Sequence, residues 1–226
     1  MFMIYYIRKD EQEKAVIAEP HSGRFYMVAQ RRPKYLTVDE WRELERANPD
    51  AKYEYIDGQV YLMSGGSLAH SRIGSNTVRA LEDALGSQPC YVYNSDASVS
   101  LSETRYTYPD VSVSCDPRDQ PTTEQMQIQA PRVVVEVLSD STEGKDRIRK
   151  ANYYHACPTI QEYMLIATKY QAVEVQRRAG NEWTLHLFGP GDEIELVSIG
   201  VCFPLAILYR GTAVPEMPND QNEQRE

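Results

Sequence analysis

The segment VVVEVL at residues 133–138 places a single carboxylate, that of Glu136, inside a continuous run of valine and leucine. Such a run is typical of a strand that is covered on both faces, as in the middle of an α/β sheet. An isolated ionised carboxylate there costs several kcal/mol or more, unless it is paired, hydrogen-bonded or bound to a metal. Strand alternation puts Glu136 on the same face as Val134 and Leu138, so its side chain is expected to point towards one layer of helices.

Two interpretations of Glu136 stay open on the residues alone. The first is an ion pair with a lysine or arginine from the helix layer that it faces. The second is a metal ligand or an acid–base group near the carboxyl end of its strand, where α/β sheets usually place ligands.

A second carboxylate precedes this strand, in the string TYPDVSVSC at residues 107–115. Pro109 cannot donate a ladder hydrogen bond, so it suits the first position of a strand and puts Asp110 at the strand start. An aspartate after a proline is commonly a turn residue. The alternative is that Asp110 and Glu136, on consecutive strands, converge on one Mg²⁺ ion, which binds through one or two carboxylates, waters and phosphate oxygens.

The basic string KDRIRKANYYHAC at residues 145–157 predicts a helix after the strand of Glu136. Lys150 lies one helical turn beyond Asp146, and Tyr154 one turn further, so the three share a face. If that face looks onto the two carboxylates, an ammonium group is available to orient or activate water. Otherwise the face is a solvated one, stabilised by an Asp146–Lys150 pair.

Several local signals define the other elements. The string TVDE is a capping box for a helix that begins after Thr37 and ends near residue 48. Asp57-Gly58 between two short strands indicates a type I′ hairpin, and an amphipathic stripe predicts a helix that ends at Gly86. Three strands are expected over residues 90–138, followed by the helix of Lys150, a buried strand and a hairpin near residue 180.

This order predicts an α/β or α+β fold, with a mixed central sheet flanked by helices and an added β-hairpin region. Its parallel crossover is a strand–helix–strand unit over residues 132–167. We expect an N-terminal extension at residues 1–34, one domain at residues 35–211 and a disordered acidic tail at residues 212–226, which is rich in proline and amides. The absence of an apolar run of about 20 residues argues against a membrane span and predicts a cytoplasmic protein.

Cysteine spacing and net charge exclude several classes of site. The four cysteines form no CxxC pair, which argues against a zinc knuckle, and we expect them to be buried apolar thiols. The four histidines are scattered, so a histidine-rich metal site is not expected. A net charge of −9 argues against non-specific coating of nucleic acid but leaves room for a local basic site.

The Pro-Asp at a strand start, with a glutamate inside an apolar strand 26 residues later, resembles the PD-(D/E)xK nuclease superfamily. More closely, residues 35–210 are similar to a large family of uncharacterised restriction-endonuclease-like proteins expanded in cyanobacteria. The features that carry this similarity are TVDEW, YEYIDGQVYLMSGG…H, YPDVSV, VVVEVLSDST and KDRIRKANYYHACPTIQEYMLI. The resemblance implies a restriction-endonuclease-like core and hydrolysis of phosphodiester bonds in DNA, with RNA as an alternative substrate.

The resemblance also implies a divalent-metal site. Asp110 and Glu136, with the Val137 carbonyl, would hold Mg²⁺ or Mn²⁺. The superfamily lysine usually lies two residues after the glutamate, where this chain has Leu138, and Lys150 on the next helix takes its place.

Two supporting catalytic residues are expected, Glu54 and His70. Each has an alternative: Glu54 as a member of a cross-strand surface pair, and His70 as a residue at a helix start. Two other functions stay open, a catalytically inert binding or assembly module and a hydrolase that uses the two acids without metal. A homodimer is a further expectation, because a double-strand cutter needs two sites.

Overall fold

The computed structural model describes residues 35–63, 65–123, 125–138 and 145–216, with three short strands before them. Those strands, β1 (Met3–Tyr5), β2 (Ala15–Ala18) and β3 (Phe25–Val28), form an antiparallel sheet in the order β1-β2-β3. Of residues 145–147 only the backbone is described.

Local sequence signals account for the first elements of the main domain, namely α1 (Val38–Ala47), β4 (Tyr53–Ile56), β5 (Gln59–Leu62) and α2 (Leu68–Leu85). The capping box is confirmed: the Thr37 hydroxyl accepts from the Glu40 amide, and the Glu40 carboxylate accepts from the Thr37 amide at 2.9 Å. Asp57 and Gly58 both have positive φ, 48° and 91°, as a type I′ turn requires.

Residues 90–138 form six strands rather than the three expected, and they belong to two sheets. They are β6 (Tyr91–Asn94), β7 (Ser98–Ser102), β8 (Arg105–Thr107), β9 (Val111–Ser114), β10 (Gln127–Ile128) and β11 (Pro131–Val137). The expectation was wrong because two of the predicted strands each divide, and because β10 forms in the segment between the second and third predicted strands. The Asp96 amide donates to the Asn94 side chain in a turn between β6 and β7, and Pro109 interrupts the ladder between β8 and β9.

In residues 145–204 the helix and strands follow one another in the order expected from the sequence. They are α3 (Lys145–Ala156), β12 (Glu162–Ile166), the hairpin β13 (Val173–Ala179) and β14 (Glu182–Phe188), and the pair β15 (Glu193–Leu196) and β16 (Val201–Pro204). Strands β11 and β12 are parallel, which confirms the strand–helix–strand crossover.

The central sheet has six strands in the order β14-β13-β12-β11-β9-β6, and a second sheet has the order β10-β7-β8-β4-β5. Helix α2 packs on one face of the central sheet, where Ile73 and Leu81 join Val133 and Val135 in one apolar cluster. On the opposite face, Tyr154 of α3 packs with a cluster that contains residues of both sheets. The fold is therefore mixed α+β, as expected.

Two expectations need correction. Cys90 and Cys115 form a disulfide rather than two thiols, because β6 and β9 are neighbours and bring their Cα atoms to 4.0 Å. Of the other two cysteines, Cys157 is buried as expected but Cys202 is exposed.

The predicted tail boundary lies too early. Val214 is buried in the core, and residue 216 forms a β-bridge with Gln171, so packed structure continues past residue 211. Residues 217–226 lie outside the described residues. No helix in the described part of the chain combines the length and the apolar character needed to cross a membrane.

Candidate active site

Glu136 receives two hydrogen bonds from α3 on the same oxygen. Lys150 Nζ lies 3.0 Å from Oε1, and the Tyr154 hydroxyl donates to Oε1 at 2.5 Å. Strand alternation turns Glu136 towards α3, and the two donors lie four residues apart, one turn of the helix. The ion pair expected for a buried carboxylate is therefore present, within a larger cluster of charged groups.

Lys150 contacts carboxylates from both sheets. Its Nζ lies 3.2 Å from Oε1 of Glu54, which comes from β4 in the second sheet and is only 6% exposed. The Tyr108 amide lies 3.4 Å from the same Glu54 oxygen. Glu54 is thus a buried partner of Lys150 and not a member of a surface pair.

Asp110 lies where the chain passes from β8 in the second sheet to β9 in the central sheet. Its Oδ2 accepts from the Val137 amide at 2.7 Å and lies 3.2 Å from Nε2 of His70. These contacts tie Asp110 to the carboxyl end of the strand that carries Glu136. Asp110 is consequently part of the cluster and not an isolated turn residue.

His70 belongs to the first turn of α2, whose N-cap Ser67 accepts from the His70 amide. Its ring packs tightly on the preceding loop, because a Cβ at Gly66 would lie 2.6 Å from the ring atoms Cγ and Nδ1. Its Nε2 lies 3.2 Å from Oδ2 of Asp110. His70 is therefore both a helix-start residue and a member of the cluster.

Burial and charge shift the pKa values within the cluster. Burial raises the pKa of Glu136 to about 7, although Lys150 opposes the shift. Burial alone would lower the pKa of Lys150, but Glu136 and Glu54 outweigh it and raise that pKa. A hydrogen bond to Asp110 raises the pKa of His70, against the effect of burial.

The donor set fits a hard divalent cation that completes its shell with water and substrate oxygens. Among the described residues, none donates a hydrogen bond to Oε2 of Glu136 or to Oδ1 of Asp110, and these are the two oxygens that would face a cation. Across the described ranges, however, no three or more His, Cys, Asp and Glu side chains are grouped so as to hold a metal by themselves. The protein groups available are two carboxylates and the Val137 backbone.

All the catalytic and metal-binding residues proposed from the sequence lie in this one region, whereas the Asp146 side chain lies outside the described residues. From the sequence, Tyr154 was expected on the Lys150 face without a role, and Gly66 was noted only as part of the motif MSGG…H. The spacing of four residues between Lys150 and Tyr154 was the sequence signal that could have indicated a contact of Tyr154 with Glu136. The close approach of the Gly66 backbone to His70 has no sequence signature beyond the glycine itself.

A cavity of about 650 Å³ opens beside the cluster and is lined by His70 and Asp110. Its other walls include the backbone of Gly65 and Gly66 and the exposed side of the first turns of α2, at Ser71 and Ser75. The cluster is therefore accessible from solvent on its Asp110 side.

Comparison with known proteins gives consistent results. The model of the Uma2 family, described as putative restriction endonuclease, matches residues 38–206. The uncharacterized protein slr1290 of Synechocystis sp. (strain ATCC 27184 / PCC 6803 / Kazusa) is 38% identical over 176 residues, covering 77% of this chain and 90% of that protein. The uncharacterized protein sll1609 of the same strain is 33% identical over 165 residues, covering 72% and 93%.

Among solved structures, this chain is similar to a putative nuclease belonging to DUF820 from Anabaena variabilis ATCC 29413. The TM-score is 0.62 and the sequence identity 20%, with 77% of this chain and 97% of that chain covered. At this identity the similarity shows the fold, which agrees with the restriction-endonuclease-like core expected from the sequence. By the match of the family model over most of its length, the chain belongs to the Uma2 family of putative restriction endonucleases.

Proposed function

We propose that this protein is a metal-dependent endonuclease that hydrolyses phosphodiester bonds in DNA. The observation that carries the proposal is the convergence of Asp110 and Glu136 at one end of β11, with the Lys150 ammonium group 3.0 Å from Glu136. Two acids that can hold a divalent cation and a lysine that can stabilise developing negative charge suit the hydrolysis of a phosphodiester. Membership of a family described as putative restriction endonuclease agrees with this chemistry.

Asp110, Glu136 and the Val137 carbonyl would hold Mg²⁺ or Mn²⁺. Such a cation, when bound, lowers the pKa of a coordinated water and neutralises charge that develops on the phosphate. The Val137 amide and His70 orient Asp110, and Tyr154 orients Glu136, so the other oxygen of each carboxylate would be the one offered to a cation.

Lys150 would act on the reacting phosphate or on the attacking water. Its ammonium group donates to Glu136 and Glu54, which hold it in place and keep it protonated. A third N–H remains for a phosphate oxygen or water. Glu54 therefore positions Lys150, and His70 supports Asp110 from the side that borders the cavity.

The direct test is nicking of supercoiled plasmid under Mg²⁺ and under Mn²⁺ by the wild type and by Glu136→Gln. The exchange keeps side-chain volume while removing the charge, and we expect a loss of at least about 100-fold in rate. Glu182→Gln is a matched control, since it makes the same exchange at an exposed residue outside the cluster. Equal rates for the wild type and Glu136→Gln would exclude Glu136 as a catalytic group.

A second measurement separates metal binding from turnover. Calorimetric titration with Mn²⁺ should show binding to the wild type and much weaker binding to Asp110→Asn, because that variant loses one of the two charged ligands. Absence of binding to the wild type would remove the metal from the mechanism. Activity that survives a chelator would instead favour a hydrolase that uses the two acids without metal.

The alternative is a nuclease fold that binds nucleic acid or assembles without cutting it. Leu138 favours this alternative, because it occupies the position where the superfamily usually has its lysine. Metal binding without turnover on any DNA or RNA form would identify such a module. We infer that the protein acts in the cytoplasm, where bacterial DNA lies. A homodimer stays a prediction, because a double-strand cutter needs two sites.

A further inference from the structure

A second cavity, which we call the basic cavity, has a volume of about 820 Å³. It lies between the C-terminal half of α1 and the segment before and within β10. It is separate from the cluster around Glu136 and carries none of the proposed catalytic side chains. The cationic residues that line it are Arg42, Arg46, Lys52 and Arg118, against two carboxylates, those of Glu45 and Asp96. Among the lining residues, cations outnumber carboxylates by two, whereas the whole chain has a net charge of −9.

The two cavities are adjacent. Ala51 and Lys52 line both, so the two cavities are neighbours that meet at these two residues. Lys52 is held there by an ion pair with Asp96 and by the Ser95 carbonyl, which its Nζ approaches at 3.0 Å. Tyr108 makes a second link, because it lines the basic cavity while its amide hydrogen-bonds Glu54 in the candidate active site.

The cations of the basic cavity are placed to contact a ligand. Arg42 and Arg46 lie one turn apart on α1, and both are exposed. In the described ranges Arg46 has no ion-pair partner, and the Arg42–Asp39 pair is loose, at 3.6 Å. Arg118 forms a bidentate pair with Asp116, which fixes its guanidinium group in place rather than burying it.

The opposite wall is rich in neutral hydrogen-bonding groups. Gln127 and Gln129 line it, together with Met126, which is 80% exposed. Gln125 lines it too, but its side-chain nitrogen already donates to Asp119 and to the Gln127 carbonyl. Amides can both donate to phosphate or sugar oxygens and bond to base edges, and an exposed apolar side chain can pack on a base. Cations on one wall and amides on the other suit a polyanion that also carries hydrogen-bonding bases.

We propose that the basic cavity is an extended binding site for a nucleic-acid strand, holding the sugar–phosphate backbone beyond the phosphate that is cut. This inference rests on the proposed function, since it takes the cluster of Asp110 and Glu136 as the place of cleavage. The strand would pass from the active-site cavity over Lys52 and along Arg42 and Arg46. A strand long enough to reach the second cavity gains contacts that a short strand cannot make.

The experiment measures binding of single-stranded oligonucleotides of about 4 and about 16 nucleotides by fluorescence anisotropy, over a range of salt concentrations. All proteins carry Glu136→Gln, so that the strand stays intact under Mg²⁺. The test variant adds Arg42→Gln and Arg46→Gln. The charge-matched control adds Arg79→Gln and Arg210→Gln, two arginines that line neither cavity.

We expect the test variant to bind the long strand more weakly than the control and the short strand equally well. The slope of log K against log salt concentration should fall by about 1.4 for the long strand, which corresponds to two lost phosphate contacts at about 0.7 each. Equal binding of the long strand by the two variants, or equal losses for both strand lengths, would overturn the inference while leaving the proposed function intact. Failure of the Glu136→Gln parent to bind either strand would count against both.

Discussion

Lys150 Nζ lies 3.0 Å from Oε1 of Glu136, although the two residues are separated by 14 positions and belong to α3 and β11. The residue two positions after Glu136, Leu138, instead packs against the apolar cluster on the α3 face. The helix thus supplies to the end of the strand the ammonium group that the strand itself lacks. This charge is held by two carboxylates from different sheets, Glu136 and Glu54.

Replacement of Lys150 by glutamine should impair both stability and activity. Glu54 and Glu136 would then be left without their shared cation, and loss of one partner of a buried pair costs about 3 kcal/mol or more. We expect that decrease in the free energy of unfolding in urea, and a loss of plasmid nicking of at least about 100-fold.

A double-mutant cycle with Glu54→Gln separates the ion pair from general damage. Because Glu54→Gln removes one of the repelling carboxylates, Glu54→Gln/Lys150→Gln should be less destabilised than the sum of the two single variants. Additive losses would show that Lys150 and Glu54 are not energetically coupled.

Tyr154→Phe tests whether the hydroxyl orients Glu136. The ring is fully buried and packs on Tyr163, so phenylalanine keeps the packing and removes only the donor to Oε1. We expect the free energy of unfolding to fall by about 1 kcal/mol and the nicking rate to fall by about tenfold or more. A variant with unchanged nicking and unchanged Mn²⁺ affinity would leave Tyr154 a packing residue only.

His155 should make the fold less stable in acid. Burial lowers the pKa of His155, although a hydrogen bond with Gln176 opposes the shift, and the ring stacks on Trp183 at 4.0 Å. Just below the ordinary histidine pKa of about 6.5 the unfolded chain then binds more protons than the folded one, so stability falls as the pH falls through this window. The melting temperature of His155→Asn should therefore decline less than that of the wild type between about pH 7 and pH 5. Parallel declines would contradict the prediction.

Reduction of the Cys90–Cys115 disulfide should destabilise the central sheet at its β6 edge. The bond closes a loop of 25 residues, and the chain-entropy relation gives about 3.5 kcal/mol for a loop of this length. Urea unfolding with and without reductant measures the difference. Cys90→Ser/Cys115→Ser should match the reduced wild type, whereas Cys202→Ser, at an exposed thiol, should still respond to reductant. No effect of reductant on the wild type would contradict the prediction.

Local features of the fold could be predicted because their causes lie within a few residues. The capping box at Thr37 and the turn at Asp57 and Gly58 depend on neighbouring backbone groups and on φ preferences, and the structure confirms both. The apolar strand around Glu136 and its parallel crossover followed from side-chain alternation and hydrophobic pattern. The family resemblance, which depends on the order and spacing of such motifs, was confirmed by the match over residues 38–206.

The amino-acid sequence by itself determined the helices, the hairpin at Asp57-Gly58, the face that Glu136 takes, and which charged residues are available near it. Only the tertiary structure decided that residues 90–114 divide between two sheets, that Cys90 meets Cys115, and that Glu54 meets Lys150. Helix caps, turns and strand alternation arise from interactions between close neighbours in the chain, so the sequence displays them directly. Contacts between residues 25 or 96 positions apart depend instead on how the sheets and α3 pack together, and no local pattern encodes that packing.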